Sequence, residues 1–278
     1  MNDHQSEWGE LRGRLQEIDA LRKVVELLGW DQLVFMPPQG GASRGRQVAT
    51  LGRLAHEKLS DPAIGRLLDR LAPAAARLPY DSDDAALLRV VRRKYERAVC
   101  VPPAFTAELA EHLAASYDAW SAARPANDFS RVQPLLEKTL DYSRRYADFF
   151  PGYTHVADPL IDQGDYGMSV ATLRPLFGDL RAALSAMVKQ ISAQPLPDES
   201  CLHQAFPEEA QIAFGEAVIL DFGYDFQRGR QDRSLHPFST SFGRDDVRIT
   251  TRVYPNDLSQ ALFSTMHEAG HAMYEQGI

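Results

Sequence analysis

Across residues 6–222 the apolar side chains recur by threes and fours, and prolines and glycines stand between the runs. That spacing puts apolar residues on one face of a helix, whereas a half-buried strand would need strict alternation. The first run is the clearest: Trp8, Leu11, Leu15, Ile18, Leu21, Val25 and Leu28 make one stripe over residues 6–28. Ser6 predicts a cap at its start and Gly29 a stop just past its end. The stripe is narrow and close to a heptad seam, so it is expected to face a single neighbour or a partner chain. Pro37-Pro38 and Gly40-Gly41 then break the pattern. It resumes from about residue 42 with Val48, Leu51, Leu54 and Leu59, and further helices are predicted over 63–71, 82–99, 105–122, 129–150, 170–191 and 207–222. Proline-rich breaks fall at 72–80, 101–103 and 194–198, and residues 158–168 (DPLIDQGDYGM) read as a polar loop with several carboxylates. Pro134 and Pro175 suit first turns, and Gly223 closes the 207–222 helix.

The pattern changes from Ser234. Residues 235–242 and 246–254 read as two extended runs around Gly243-Arg244-Asp245, with Val247, Ile249 and Thr251 alternating against Arg248, Thr250 and Arg252. A last helix follows. Asp257 is its predicted cap, and Gln260 three residues on completes a capping-box pattern. The fold class expected is mainly α, with one small β-hairpin or sheet beside the final helix.

That final helix carries His267-Glu268-Ala269-Gly270-His271, an H-E-x-x-H pattern. On a helix, histidines four residues apart share a face and can reach one ion at about 2.0–2.1 Å each. A third protein ligand and a water complete the tetrahedron, and Glu268 can take the proton from that water. Glu275 is a poor third ligand, because it lies about 12 Å along the axis from His267. A polar supporting role suits it better. No H-x-x-G-x-x-H continuation follows, which excludes a metzincin site.

Composition narrows the setting. The 278 residues suffice for one large domain or two small ones. The net charge is −8, and no basic stripe with interleaved aromatics is present, so no nucleic-acid partner is expected. Cys100 and Cys201 have no short spacing and suggest neither a disulfide framework nor a cysteine metal site. The polar start MNDHQSEWGELRGR and the lack of a long apolar run predict a soluble, cytoplasmic protein without membrane contact.

Three motifs occur in order: His236-Pro237-Phe238, then D-x-R-x-T as Asp246-Val247-Arg248-Ile249-Thr250, then the H-E-x-x-H. With the Trp30-Asp31-Gln32 and Met36-Pro37-Pro38 segment, they make the chain resemble the carboxypeptidase Taq family of metallocarboxypeptidases. The resemblance implies a multi-helix, zincin-like carboxypeptidase scaffold and release of C-terminal residues from peptides. It implies His267 and His271 as metal ligands and Glu268 as catalytic base. Arg248 is implied either to hold a substrate carboxylate or to buttress the site, and His236 to contact substrate. The divalent metal implied is zinc, with cobalt or manganese as alternatives. A peptide substrate and a homodimer are the implied partners. The chain is expected to be a single helical domain over 1–278, with a lid-like N-terminal region at 1–80 and a core at 81–278 holding the three motifs. The family's later motifs include an H-E-S/G-Q segment whose Glu is the third ligand, and they would lie beyond Ile278. As a truncated chain the protein is therefore expected to be incomplete or weakly active. The competing expectation is a non-catalytic, dimeric helical remnant of the same scaffold. A third is that a second chain supplies the missing Glu across an interface.

Overall fold

A computed structural model describes residues 2–278. The chain divides into two compact units: one runs to Asp128 and resumes at Leu202–Ile278, and the other is Phe129–Cys201. The first unit holds helices α1 (Asn2–Val34), α2 (Gly41–Leu59), α3 (Pro62–Ala75), α4 (Asp83–Cys100) and α5 (Pro103–Ala123). After residue 202 it adds α9 (Glu208–Phe222), strands β1 (Gly229–Arg233), β2 (Ser239–Gly243) and β3 (Asp246–Thr251), and α10 (Leu258–Gly277). The second unit holds α6 (Gln133–Asp148), α7 (Asp158–Gly164) and α8 (Val170–Ser192).

The α1 stripe is the spine of a helical core. Trp8, Leu11 and Ile18 are buried against Leu59 of α2, Ile64, Leu67, Leu68 and Leu71 of α3, and Leu88 and Val91 of α4. Full burial of each large aliphatic side chain contributes about 1.5–3 kcal/mol. Asp61 starts α3 by accepting the Ala63 N–H at 2.8 Å. Three boundaries differ from expectation. α1 begins at Asn2, so Ser6 lies within it, and it passes through Gly29 to Val34. Trp30, only 6 % exposed, explains the continuation. Burying its indole outweighs the roughly 1 kcal/mol that a helical glycine costs. α3 likewise runs on to Ala75, with Pro73 inside it.

In the second unit the expected polar loop at 158–168 contains α7, and two of its three carboxylates are structural. Asp158 and Asp162 are buried. Asp158 accepts the N–H of Val170 at 2.8 Å, the N–H of His155 at 3.0 Å and the Thr154 hydroxyl at 3.2 Å. Asp162 accepts the Tyr153 hydroxyl at 2.8 Å and the N–H of Gly167 at 2.9 Å. Acidic residues that look solvated in the sequence therefore cap backbone donors that would otherwise be orphaned. α8 starts at Ser169, whose hydroxyl accepts the Thr172 N–H at 3.3 Å. Its Phe177, Leu180, Leu184, Met187 and Ile191 are exposed and spaced 3-4-3-4, a heptad seam.

The sheet has strand order β1-β3-β2. β2 and β3 form the expected antiparallel hairpin, with a register shift between Ser241 and Gly243. β1 pairs with β3 in parallel, Gly229 opposite Val247 through Arg233 opposite Thr251. Its sequence, GRQDR, has no apolar alternation and so no strand signal. One face of β3 is apolar: Val247 and Ile249 are fully buried with Ile219 and Tyr224 against Ala269 and Ala272 of α10. Among the described residues no helix is long and apolar enough to cross a membrane.

Candidate metal centre

α10 is held at three places along its length, by α9 at its start, by the sheet in its middle and by the segment before β1 at its end. At the start, Asp257 accepts the Ser259 N–H at 2.8 Å, as the cap pattern predicts. The Ser259 hydroxyl beside it holds the Asp257 carboxyl below its usual range. Gln211, buried in α9, donates to the carbonyls of Phe206 at 3.1 Å and Tyr254 at 2.8 Å, which anchors the segment entering the helix. Further along, the Thr251 hydroxyl donates to the Ala261 carbonyl at 3.2 Å, and the Thr265 hydroxyl donates to Thr251 Oγ1 at 3.1 Å. Small Ala269 and Ala272 then let the helix lie close on Val247 and Ile249. At the end, the Gln276 carboxamide accepts the Asp225 N–H at 3.1 Å and donates to the Asp225 carbonyl at 3.0 Å. Arg228 donates to the Gln276 carbonyl at 2.9 Å.

With that face of α10 committed to packing, His267 and His271 project from the exposed one. Their Nε2 atoms are 3.3 Å apart and their rings stand at 83°. Two nitrogens bound to one tetrahedral ion at 2.0–2.1 Å lie about 3.3–3.4 Å apart. The imidazole pair therefore fits two corners of a divalent metal site. Glu268 stands between them in sequence and is only 8 % exposed. Its carboxylate makes no hydrogen bond or ion pair with a described residue. A carboxylate that no protein group engages can exchange a proton with a small molecule at the site. Among the described residues no group of three or more His, Cys, Asp or Glu side chains is placed to hold an ion, so Glu275 does not join the histidines.

The other two expected site residues lie elsewhere on the sheet. Arg248 alternates with Val247 and Ile249 and so points to the opposite face from α10. Asp246 grips its guanidinium in a two-pronged pair, 2.8 Å at each bond. The guanidinium also stacks 4.5 Å from the Trp30 ring and 5.0 Å from the Phe242 ring. His236 is exposed in the turn before β2. That turn is held by buried Thr250, whose hydroxyl oxygen accepts the Phe238 N–H at 2.9 Å and the Ser234 hydroxyl at 2.7 Å. The D-x-R-x-T pattern thus has a local reading. Asp246 fixes Arg248, Thr250 fixes the His236-Pro237-Phe238 turn, and the next residue, Thr251, fixes α10. Thr265, Gln211 and Gln276 were not singled out from the sequence, and Thr250 and Thr251 were named there only as motif and strand positions, without these roles. The one signal was two adjacent threonines in a strand, which must face opposite sides of the sheet.

A helical scaffold that presents an H-E-x-x-H helix over a small sheet carries the motif of the metallopeptidases. The chain belongs to the carboxypeptidase Taq (M32) metallopeptidase family, whose model matches residues 10–278. It is 35 % identical over 273 residues to thermostable carboxypeptidase 1 of Thermus thermophilus, covering 95 % of this chain and 54 % of that protein. It is 32 % identical to carboxypeptidase 1 of Bacillus subtilis, covering 95 % of this chain and 52 % of that one. Among solved structures, the M32 carboxypeptidase from Deinococcus radiodurans R1 superposes with a TM-score of 0.83 at 43 % identity, over 98 % of this chain and 54 % of that one. The chain spans about half the length of the curated relatives it matches.

Proposed function

We propose that the chain contributes the catalytic metal helix of a metallocarboxypeptidase, an enzyme that hydrolyses the last peptide bond of a peptide. The observation that carries this reading is the His267–His271 pair at tetrahedral ligand spacing, with Glu268 buried and unpartnered beside it. His267 and His271 would hold a divalent ion, zinc first and cobalt or manganese next, through neutral imidazole nitrogens. Such an ion supplies Lewis acidity to the scissile carbonyl and makes water a better nucleophile. Glu268 takes one proton from the attacking water and passes it to the departing amine nitrogen, so that the acyl carbon gains hydroxyl and the amine gains hydrogen. His236, exposed at the turn that Thr250 holds, is assigned to substrate contact. Arg248, committed to Asp246 and Trp30, is assigned to buttressing the sheet beneath the metal helix rather than to gripping substrate.

The wider readings follow the same family. Residues 1–80 are proposed as a lid-like region and 81–278 as a core, within one functional domain. The protein is proposed to be cytoplasmic, a reading supported by two free cysteines. It is proposed to form a homodimer, a reading supported by the exposed α8 seam.

The decisive measurement pairs metal content with product analysis. Purified protein equilibrated with zinc should retain the ion, and His267→Ala should reduce that retention at least tenfold. Any release of single C-terminal residues should vanish in Glu268→Gln while the ion is kept. An ion retained equally by His267→Ala would overturn the ligand assignment, and undiminished hydrolysis by Glu268→Gln would overturn the base.

A further inference from the structure

A single hydrogen bond holds His236. Its carbonyl accepts the Ser234 hydroxyl at 2.6 Å. Neither its N–H nor its imidazole bonds to a described residue, and its side chain is exposed. Pro237 follows it and confines His236 to extended backbone. Phe238, the next residue, is already fixed to β3: its N–H donates to Thr250 Oγ1 at 2.9 Å, and its carbonyl accepts the Thr250 N–H at 2.9 Å. The remaining freedom at His236 is the direction of its carbonyl. Pinning that carbonyl therefore fixes the direction in which the imidazole leaves the chain.

Ser234 is itself anchored. Its N–H donates to the Thr251 carbonyl at 3.1 Å, and its hydroxyl also reaches Thr250 Oγ1 at 2.7 Å. Thr250 and Thr251 are fully buried, which makes β3 a firm reference. The Thr251 hydroxyl in turn donates to the Ala261 carbonyl of α10 at 3.2 Å. A continuous path thus runs from α10 through Thr251 to Ser234 and on to the His236 carbonyl, and every group in it belongs to this chain. Alanine in place of Ser234 would keep the backbone bond to Thr251 and lose the grip on His236.

We propose that Ser234 is a positioning residue, which holds the His236 imidazole at a set place relative to α10 so that it meets a bound peptide. This rests on the assignment of His236 to substrate contact. A contact made by an exposed side chain is only as well placed as the groups that support it. Here that support is one hydroxyl.

The test measures binding of acetyl-tetraalanine with a free C-terminal carboxylate to the zinc-equilibrated protein. Glu268→Gln is present throughout, so that the probe is not consumed. Ser234→Ala should weaken binding at least about threefold, because only the fraction of molecules with His236 in place binds well. Ser234→Thr, which keeps a hydroxyl, should restore it. The melting temperature of Ser234→Ala should stay close to that of the parent, since the bond to Thr251 comes from the backbone. Where His236→Ala has already weakened binding, adding Ser234→Ala should cost nothing further. Unchanged binding by Ser234→Ala, with His236→Ala weakened, would overturn the inference and leave the His236 assignment standing. Additive losses in the double variant would overturn it in the same way, as would a lower melting temperature in place of a binding loss. Binding unchanged by His236→Ala, or absent from the parent, would overturn the His236 assignment and the inference with it.

Discussion

At the scale of single residues, uncharged side chains carry much of the geometry. Thr250 is fully buried and serves three groups of the segment before β2. Thr250→Val keeps the shape and strands the Phe238 N–H, while the Ser234 hydroxyl keeps the His236 carbonyl at 2.6 Å. The expected loss is about 1–3 kcal/mol, read as a lower urea midpoint at an unchanged slope. Gly229 tolerates no side chain, because an added Cβ would stand 2.1 Å from the Tyr224 hydroxyl and 2.3 Å from the Val247 carbonyl. That hydroxyl bonds the same carbonyl at 2.8 Å, and burial pushes its pKa up and keeps it neutral. Gly229→Ala should therefore cost about 1–3 kcal/mol through backbone displacement. Gly9→Ala, in a helix with open space at the Cβ, should gain up to about 1 kcal/mol. Opposite signs for the two glycines in parallel thermal melts are the expected outcome.

At the scale of elements, the connection around α7 is acid-sensitive. The Val170 N–H, then the His155 N–H and the Thr154 hydroxyl, hold the Asp158 carboxyl below its ordinary value of 3.8. A carboxyl lowered by folding gives stability that is present in full above the ordinary value and lost as pH falls through the lowered one. The difference in melting temperature between the unaltered protein and Asp158→Asn should therefore be largest near neutrality and shrink below about pH 4. A difference constant down to pH 3 would refute this role. The element also marks the limit of sequence reading. Helices with one apolar stripe were legible because burial imposes a period, and so were β2, β3 and the Asp257 cap. α7 and β1 were not, since neither DPLIDQG nor GRQDR carries a periodic apolar signal. Their conformations are fixed by partners distant in sequence or by buried carboxylates. In the site, His267, Glu268 and His271 could be named in advance because helix geometry alone brings them together. Arg248 lies on the other sheet face because a strand alternates, and that face could be assigned only once Val247 and Ile249 were seen to pack on α10.

At the scale of the whole molecule, the α8 seam predicts the assembly state. If it forms the proposed dimer contact, Leu180→Glu with Leu184→Glu should raise the dimer dissociation constant at least about tenfold without altering helix content, because both side chains are exposed. Light scattering across a dilution series, with circular dichroism as the control, tests this. A dimer unaffected by both charges would place the contact elsewhere. The attachment of α10 to its sheet has a further consequence for folding speed. The Thr265–Thr251 and Gln276–Asp225 bonds span 14 and 51 residues of chain, whereas the bond from Lys23 to the Ser241 carbonyl, joining α1 to β2, spans 218. Short closures cost less entropy and form sooner. The two imidazoles should therefore reach their final spacing while the N-terminal helices are still searching for the sheet.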